Sequence, residues 1–504
     1  MAPQPKKRIN IASSVVIAAG VVRVAIGLSL GFRPFDDSFI TFRYAKNLAM
    51  GYGLVFNFGE PVLGTSAPLW ALILGAIGWL GFDIPQSALV LSLFFDVLTA
   101  WLLRDSVSRI SGQPILGTMA GLLFLGTADF LSISRSGMET SLFCLILAGS
   151  IACVMRNSTA AALLLAGLSC FARPEGVLVL GAITVVYLHR RVARERWRAL
   201  RALALPLLLL TAWLAITWGY YGSPVPTSVA AKAEHVEADE GLRSFSWMNL
   251  RLFAYLGQFG EEVFTRTWIE MRLAWSALAI LGTAVILLEH LRARTDQTSV
   301  ALILLVALPA VHVGVLAAAG AFTWFPWYYG PLYFFLVPLV VLGVWTAVGL
   351  AVRNRSQRQC QGAVLIVGVL LLAQVLAALT VKLPGDREYW VEGYQEVLAG
   401  WAPPEGETVA ALEVGTVGWE LWPARVLDLV GLVSPGSIGR SPAEVVLSSR
   451  AKYLCVRTDD GAALLSALQS HSAAESPFRI MRAVTDPYRD RQFLLLERRL
   501  LPDR

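Results

Sequence analysis

Apolar runs long enough to cross or nearly cross a bilayer recur along this chain at about 11–32, 87–104, 113–129, 139–155, 157–172, 176–189, 199–219, 273–290, 299–320, 331–351 and 362–381. A hydrocarbon core of about 30 Å takes roughly 20 apolar residues in an α-helix, and only helices or closed barrels satisfy the backbone inside it. Eleven such runs predict an all-α polytopic membrane protein with about eleven transmembrane helices. Composition agrees, because 56% of the 504 residues are hydrophobic and 15% charged, too apolar for a soluble globular chain. The basic start MAPQPKKR imitates the n-region of a signal peptide. The apolar stretch behind it is long enough to span and shows no small-residue cleavage site, so it reads as a retained first helix.

The net charge of +6 does not point to nucleic acid. Basic residues sit in short clusters between apolar runs, which is the pattern bilayer insertion selects. A twelfth apolar run, 68–82, tests the orientation. If it lies flat on the outer surface, the inner loops collect Lys6, Lys7 and Arg8, then Arg104 and Arg109, Arg156, six arginines from Arg190 to Arg201, Arg292 and Arg294, and Arg353, Arg355 and Arg358. If it spans, the 190–201 cluster faces outward. It therefore reads as a juxtamembrane helix. This orientation puts outside the first loop 33–86, the turns near 130–140 and 172–176, the loop from 220 to about 272, the aromatic turn FTWFPWYYG at 322–330, and everything beyond Leu383.

Domain boundaries follow: a transmembrane domain over 1–382 and a soluble domain over 383–504. The latter carries a helical pattern in GDREYWVEGYQEVLAGW, strand patterns in TVAALEV, RVLDLVGLV, AKYLCVR and QFLLLER, and helical patterns in PAEVVLSS and AALLSALQSH. That alternation predicts a small α/β domain. Cys455 is its single cysteine, which rules out a disulfide framework there.

Candidate chemistry concentrates outside. Asp36 and Asp37 can cap the helix that follows them, or one can act as a base while its neighbour positions it; Asp36 is favoured as the base. Arg43 and Lys46, three apart on that helix, offer either a solvated face or a cradle for a phosphate. Arg135, Arg173 and Lys232 on other outer loops could join them. Tyr44, Asn47, Glu139, Glu175, Trp324, Trp327 and Tyr328 are possible substrate-lining residues, with helix capping for the glutamates and an interfacial aromatic belt for the tryptophans and tyrosine as the simpler readings. Arg23 and Asp96 lie inside apolar runs, where each needs a partner or a water-filled cavity. His312 reads as a satisfied interior histidine. No His/Asp/Glu cluster has metal-site spacing, and no cofactor is predicted, although a divalent metal at the aspartate pair stays open.

The stretch DDSFITFRYAKNLAMGYGLVFNFGEPVLGTSAPLW resembles the first extracytoplasmic loop of the polytopic GT-C glycosyltransferases that use polyprenyl-phosphate-linked sugars. It is most similar to the branch that includes the mycobacterial terminal arabinofuranosyltransferase. SGMET at 136–140, ARPEG at 172–176, YYGSPVPTSVAAK at 220–232 and VGTVGWEL…VLDLVGLV at 414–433 fit the same branch in order. The resemblance implies a first-loop aspartate at the catalytic centre, basic residues on the lipid phosphate and a juxtamembrane helix beside the site. Departures, GTSAPLW for a G-Y-T-N-type stretch and VGTVG for G-D-I-G, bear on the sugar and acceptor rather than the reaction class.

The physical reading beside it is that an outer-facing site has no nucleotide sugars, so a donor must arrive through the membrane. The expected activity is inverting transfer of a sugar, a pentose such as arabinofuranose or a hexose, from polyprenyl phosphate to a cell-envelope glycan, lipid or protein hydroxyl. The expected place is the plasma (inner) membrane. The competing class is a transporter or flippase of a lipid-linked or anionic solute, which would use Arg23 and Asp96.

Overall fold

A computed structural model describes residues 11–189, 193–238, 269–293, 295–318, 326–351, a few positions between 359 and 369, 390–470 and 476–499. The chain is a polytopic helical membrane protein with a C-terminal α/β domain. Among the described residues, six helices are long and apolar enough to cross a membrane, covering 13–30, 84–111, 196–221, 275–293, 297–315 and 330–351. Five shorter apolar helices cover 68–79, 114–126, 140–155, 159–172 and 176–189. The apolar run at 362–381 falls almost wholly outside the described residues.

In chain order the first elements are α1 (Ile11–Leu30), α2 (Asp36–Ala49), α3 (Pro68–Trp79), α4 (Ile84–Ser111), α5 (Pro114–Gly126), α6 (Ala128–Ser134), α7 (Thr140–Met155), α8 (Thr159–Ala172), α9 (Gly176–His189), α10 (Ala193–Tyr221) and α11 (Thr227–Ala238). The 12 residues of α3 reach about 18 Å, short of the hydrocarbon thickness. One end is sealed, with Trp70 buried and its Nε1–H donating to the Gly137 carbonyl at 2.9 Å, while Trp79 and Leu80 at the other end are exposed. α3 packs against α2.

Inside the helical layer, Arg23 of α1 and Asp96 of α4 form a buried ion pair at 2.7 Å. Asp96 also accepts from Ser134 and Ser141, and Arg23 donates to the Leu125 and Thr127 carbonyls. The two charges neutralise each other, so the pair ties five helices together and needs no solute to balance it.

The C-terminal domain holds a five-stranded sheet in the order β2 (Arg425–Asp428), β1 (Thr408–Ala411), β3 (Tyr453–Arg457), β5 (Gln492–Arg498), β4 (Phe478–Thr485). The first three strands are mutually parallel and the last two join antiparallel. Side chains alternate between two faces. Val409, Ala411, Tyr453, Cys455, Phe493 and Leu495 point into one core, and Ala410, Leu454, Val456, Leu494 and Leu496 into another.

The first of these cores is not confined to the C-terminal domain. Ile40, Tyr44 and Phe56 of the first loop and Ala71 of α3 belong to it. The strand expected to continue through TVAALEV stops at Ala411, and a short helix, Val414–Glu420, replaces its end. Its two glycines permit a close approach. A Cβ on Gly415 would lie 2.0 Å from the Asp36 carbonyl oxygen, and one on Gly418 would lie 2.6 Å from the Phe56 ring.

Candidate active site at the aspartate pair

Phe35 precedes α2 in an extended conformation, and neither aspartate caps that helix. Their carboxylates go elsewhere, in different directions, as adjacent helical positions must. Asp36 reaches the C-terminal domain, where Oδ2 accepts the Gly415 N–H at 3.0 Å and Oδ1 the Thr416 N–H at 2.6 Å. Burial pushes its pKa up to about 6 against the lowering effect of those two amides, with the nearby charge of Asp37 adding to the rise. Asp37 points to α11, where Lys232 Nζ lies 2.9 Å from Oδ2. Both side chains of that pair keep some exposure, 20% and 35%, so this is the open side of the aspartate pair.

Lys232 also donates to the Tyr328 hydroxyl at 3.4 Å, and its ammonium stands 5.7 Å from the Tyr328 ring centre. Burial works against its charge, but Asp37 and the Tyr328 hydroxyl outweigh it and hold the ammonium above its usual range. Arg173 also approaches the Tyr328 ring, with its Cζ 5.5 Å from the ring centre. Arg173 pairs with Glu139 at 2.7 Å and Glu175 at 2.9 Å. Trp327 is buried against Phe35, with ring centres 4.9 Å apart, which fixes the start of the Pro326–Ala351 helix beside α2. The aspartate pair, Lys232, Tyr328, Trp327, Arg173, Glu139 and Glu175 thus converge, drawn from five separate stretches of sequence. Among the described residues, three buried polar atoms in or beside this cluster, Arg173 Nε, Glu175 Oε2 and His312 Nε2, have no hydrogen-bond partner. His312 is therefore not the satisfied interior histidine the sequence suggests.

The remaining candidates are used differently. Arg43 is fully buried, donating to the carbonyls of Phe56 (2.8 Å), Ala424 (2.6 Å) and Gly418 and to Asn57 Oδ1 (3.1 Å), with its Cζ 4.5 Å from the Phe56 ring centre. Burial pushes its pKa down to about 9. Lys46 stands 4.8 Å from the Trp419 ring centre and 4.1 Å from that of Trp422. The face they share is packed on the C-terminal domain, so together they brace α2 where the sequence offers a phosphate cradle.

Arg135 donates to the Leu30 and Gly31 carbonyls and closes the end of α1. Tyr44 bonds the Val62 carbonyl and the Gly64 N–H, and Asn47 bonds the Val55 and Phe56 carbonyls and the Trp422 indole. Both hold the loop's shape from its interior. Trp324 lies outside the described residues. As a metal site the aspartate pair fits poorly, because both Asp36 oxygens face backbone N–H donors and an Asp37 oxygen faces an ammonium. Among the described residues no group of three His, Cys, Asp or Glu side chains could hold a metal ion.

No family model matches the chain. The terminal beta-(1->2)-arabinofuranosyltransferase of Mycobacterium tuberculosis is 28% identical over 218 residues, 39% of this chain and 34% of that protein. Its namesake from Corynebacterium glutamicum is 28% identical over 352 residues, 61% of this chain and 48% of that protein. The chain thus matches less than half the length of these curated relatives. Among solved structures, the apo oligosaccharyltransferase of Archaeoglobus fulgidus matches 94% of this chain and 72% of its own, with a TM-score of 0.59 at 10% identity. ArnT of Cupriavidus metallidurans bound to undecaprenyl phosphate matches 96% of this chain and 97% of its own, with a TM-score of 0.53 at 12% identity.

The chain shares the fold of these two solved structures.

The sequence pointed to the aspartates, Lys232 and Tyr328, but not to Glu413. It begins the Val414–Glu420 helix, and Asp36 and Arg457 are its strongest charged neighbours. Its only sequence signal is its position before VGTVG.

Proposed function

We propose that the chain is a membrane glycosyltransferase that moves a sugar from a polyprenyl-phosphate donor to an acceptor hydroxyl on the extracytoplasmic face of the plasma membrane. The observation that carries this reading is the division of labour within the aspartate pair. Asp36 is held by backbone amides of the C-terminal domain, whereas Asp37 lies on the open side against an ammonium and a phenol. Asp37 is then the base and Asp36 the residue that positions it, reversing the preference drawn from sequence.

In the reaction, Asp37 takes the acceptor O–H proton as that oxygen attacks the anomeric carbon, and the bond from this carbon to the phosphate oxygen breaks with inversion. Lys232 supports the carboxylate before the reaction and supplies positive charge near the phosphate as negative charge develops on it. The Tyr328 hydroxyl, bonded to Lys232, orients the ammonium. Arg173 is already balanced by two glutamates and acts as a scaffold for Tyr328. A departing phosphate monoester is a weak base, so no second carboxyl acting as an acid is required, unlike glycoside hydrolysis.

The curated relatives are named for arabinofuranose transfer, and solved neighbours are titled with undecaprenyl phosphate and with dolichol phosphate. Polyprenyl-phosphoryl arabinofuranose is accordingly the first donor to test, with hexose donors beside it and cell-envelope glycans as acceptors. The full chain in nanodiscs should consume one radiolabelled donor of this class and release free polyprenyl phosphate. A panel of pentose and hexose donors left intact with cell-envelope acceptors present would refute the proposal.

A further inference from the structure

Between the first loop and the C-terminal domain lies an open groove of about 510 Å³, within the size range of small-molecule sites. Residues 59–62 of the loop line it together with Arg425 and Leu427 of β2, the turn at 433–437, Arg440 and Ser448. The turn is held from behind. The buried Asp428 carboxylate accepts the Val430 and Val433 N–H groups at 2.9 and 2.7 Å, and the Asp428 carbonyl accepts the Ser437 hydroxyl at 2.6 Å. Nothing lies within 4 Å of where a Cβ on Gly436 would stand, so the turn presents open space. The groove reaches the aspartate pair through α11. The Leu63 carbonyl, next to the lining residue Val62, accepts the Thr227 N–H at 2.7 Å where α11 begins. Lys232, the partner of Asp37, follows five residues later, about 7.5 Å along the helix axis. Farther on, Glu234 Oε1 lies 3.5 Å from where a Cβ on Gly439 would stand, beside the lining residue Arg440.

The lining narrows what the groove can hold. Glu60 pairs with Arg425 at 2.5 Å and accepts from Asn57 at 2.8 Å, while Arg440 donates to the Ser448 hydroxyl at 2.8 Å. A phosphate or carboxylate would meet Glu60, and a cation would meet two guanidiniums. A polyol can accept from the arginines and donate to the carboxylate and serine oxygens at once. Val62, Leu427 and Val433 offer apolar surface to its C–H groups. An extended peptide would enter by pairing with the edge of β2. That edge is already taken: Arg43 bonds the Ala424 carbonyl, Asn57 bonds both the N–H and the carbonyl of Val426, and Ser434 Oγ accepts the Asp428 N–H. We infer that this groove is a subsite for neutral sugar units of the acceptor that lie behind its reacting hydroxyl. The inference rests on the glycosyltransferase reading and gives the junction of first loop and C-terminal domain the task of gripping the acceptor chain.

The test uses the full chain in nanodiscs with arabinofuranosyl and mannosyl probes, each as an octyl disaccharide and an octyl hexasaccharide. Calorimetric titration and steady-state transfer would be measured for wild type, Gly436→Leu and Arg440→Gln, both at exposed positions outside the aspartate cluster. Gly436→Leu fills the groove without meeting protein at its Cβ, and Arg440→Gln removes a charged donor. Melting curves matching wild type establish that both fold. At least one hexasaccharide should bind wild type more tightly than its disaccharide. Each substitution should weaken that hexasaccharide and raise its KM about tenfold, the worth of one hydrogen bond to a charged group, with the disaccharide KM, donor KM and kcat held. A merely structural role would move all of these together. No hexasaccharide binding wild type more tightly than its disaccharide would overturn the subsite, as would hexasaccharide affinity unchanged in both folded variants. A wild type that binds a hexasaccharide through these residues yet consumes no donor would sink the glycosyltransferase reading and leave a glycan-binding groove.

Discussion

Arg43 decides between two accounts of α2. If its guanidinium were a phosphate ligand, removing it would weaken donor binding and leave the fold intact. The structure predicts the opposite for Arg43→Met. The Gly418 and Ala424 carbonyls both take a hydrogen bond from Arg43, whereas the Phe56 carbonyl keeps Asn47 and Asn57 Oδ1 keeps the Val426 N–H. Two orphaned carbonyls cost about 2–6 kcal/mol together. The lost stacking on Phe56 adds about 1 kcal/mol, and relief from burying a charge returns part of the sum. A net loss of about 3 kcal/mol should speed hydrogen exchange in the Val414–Glu420 helix by about 100-fold, because opening free energy sets that rate. Arg43→Lys should be nearly as damaging, since one ammonium cannot reach carbonyls on both sides of a planar fork. Exchange at the wild-type rate in both variants, with donor KM raised in Met and rescued in Lys, would refute the brace and restore the phosphate cradle.

Asp37→Asn should lower transfer by about 100-fold or more, keep donor affinity, and cost at most about 1 kcal/mol of stability because its ion pair is partly exposed; near-normal turnover would remove Asp37 from the chemistry. Between about pH 4 and 6 the folded protein holds a proton on Asp36 that the unfolded chain releases, so stability should fall as pH rises through that window, by up to about 3 kcal/mol. The melting temperature of Asp36→Asn should vary less with pH there than that of wild type, and equal slopes would contradict the assignment. Asp96→Ala should cost about 3–5 kcal/mol by stranding a buried Arg23, and the double substitution Arg23→Met with Asp96→Ala should recover much of it; a double variant no more stable than the single would argue against the pairing. Gly415→Ala should loosen the same domain contact as Arg43→Met, read by exchange, because its methyl meets the Asp36 backbone.

The helical layer was legible because the bilayer imposes a length and a polarity on each run, whatever the tertiary contacts. The α/β character of the C-terminal domain was legible for a similar local reason, its alternating apolar strands. Two elements escaped. β4, FRIMRAVT, is an edge strand with mostly exposed side chains and a register shift between Ile480 and Arg482, so no buried alternation marked it. The Val414–Glu420 helix, with two glycines in seven residues, carried no helical signal, and its first residue read as the end of a strand. In the site, helical spacing put Arg43 and Lys46 on one face, but that face meets Gly418, Trp419, Trp422 and Ala424. No local rule carries information across that distance, and the same holds for which aspartate faces which partner.

That separation bears on how the protein is made. Arg43 to Gly418, Arg43 to Ala424, Asn47 to Trp422 and Asp36 to Thr416 join residues 375, 381, 375 and 380 positions apart. At roughly 5–20 residues per second a ribosome adds those partners about 20–75 s after α2 has been synthesised. Through that interval the membrane helices are inserted one after another while α2 has neither its brace nor a positioned carboxylate. On the proposed function, a nascent chain would stay idle toward its donor while synthesis is under way, and competence would arrive only when the last domain has docked on α2.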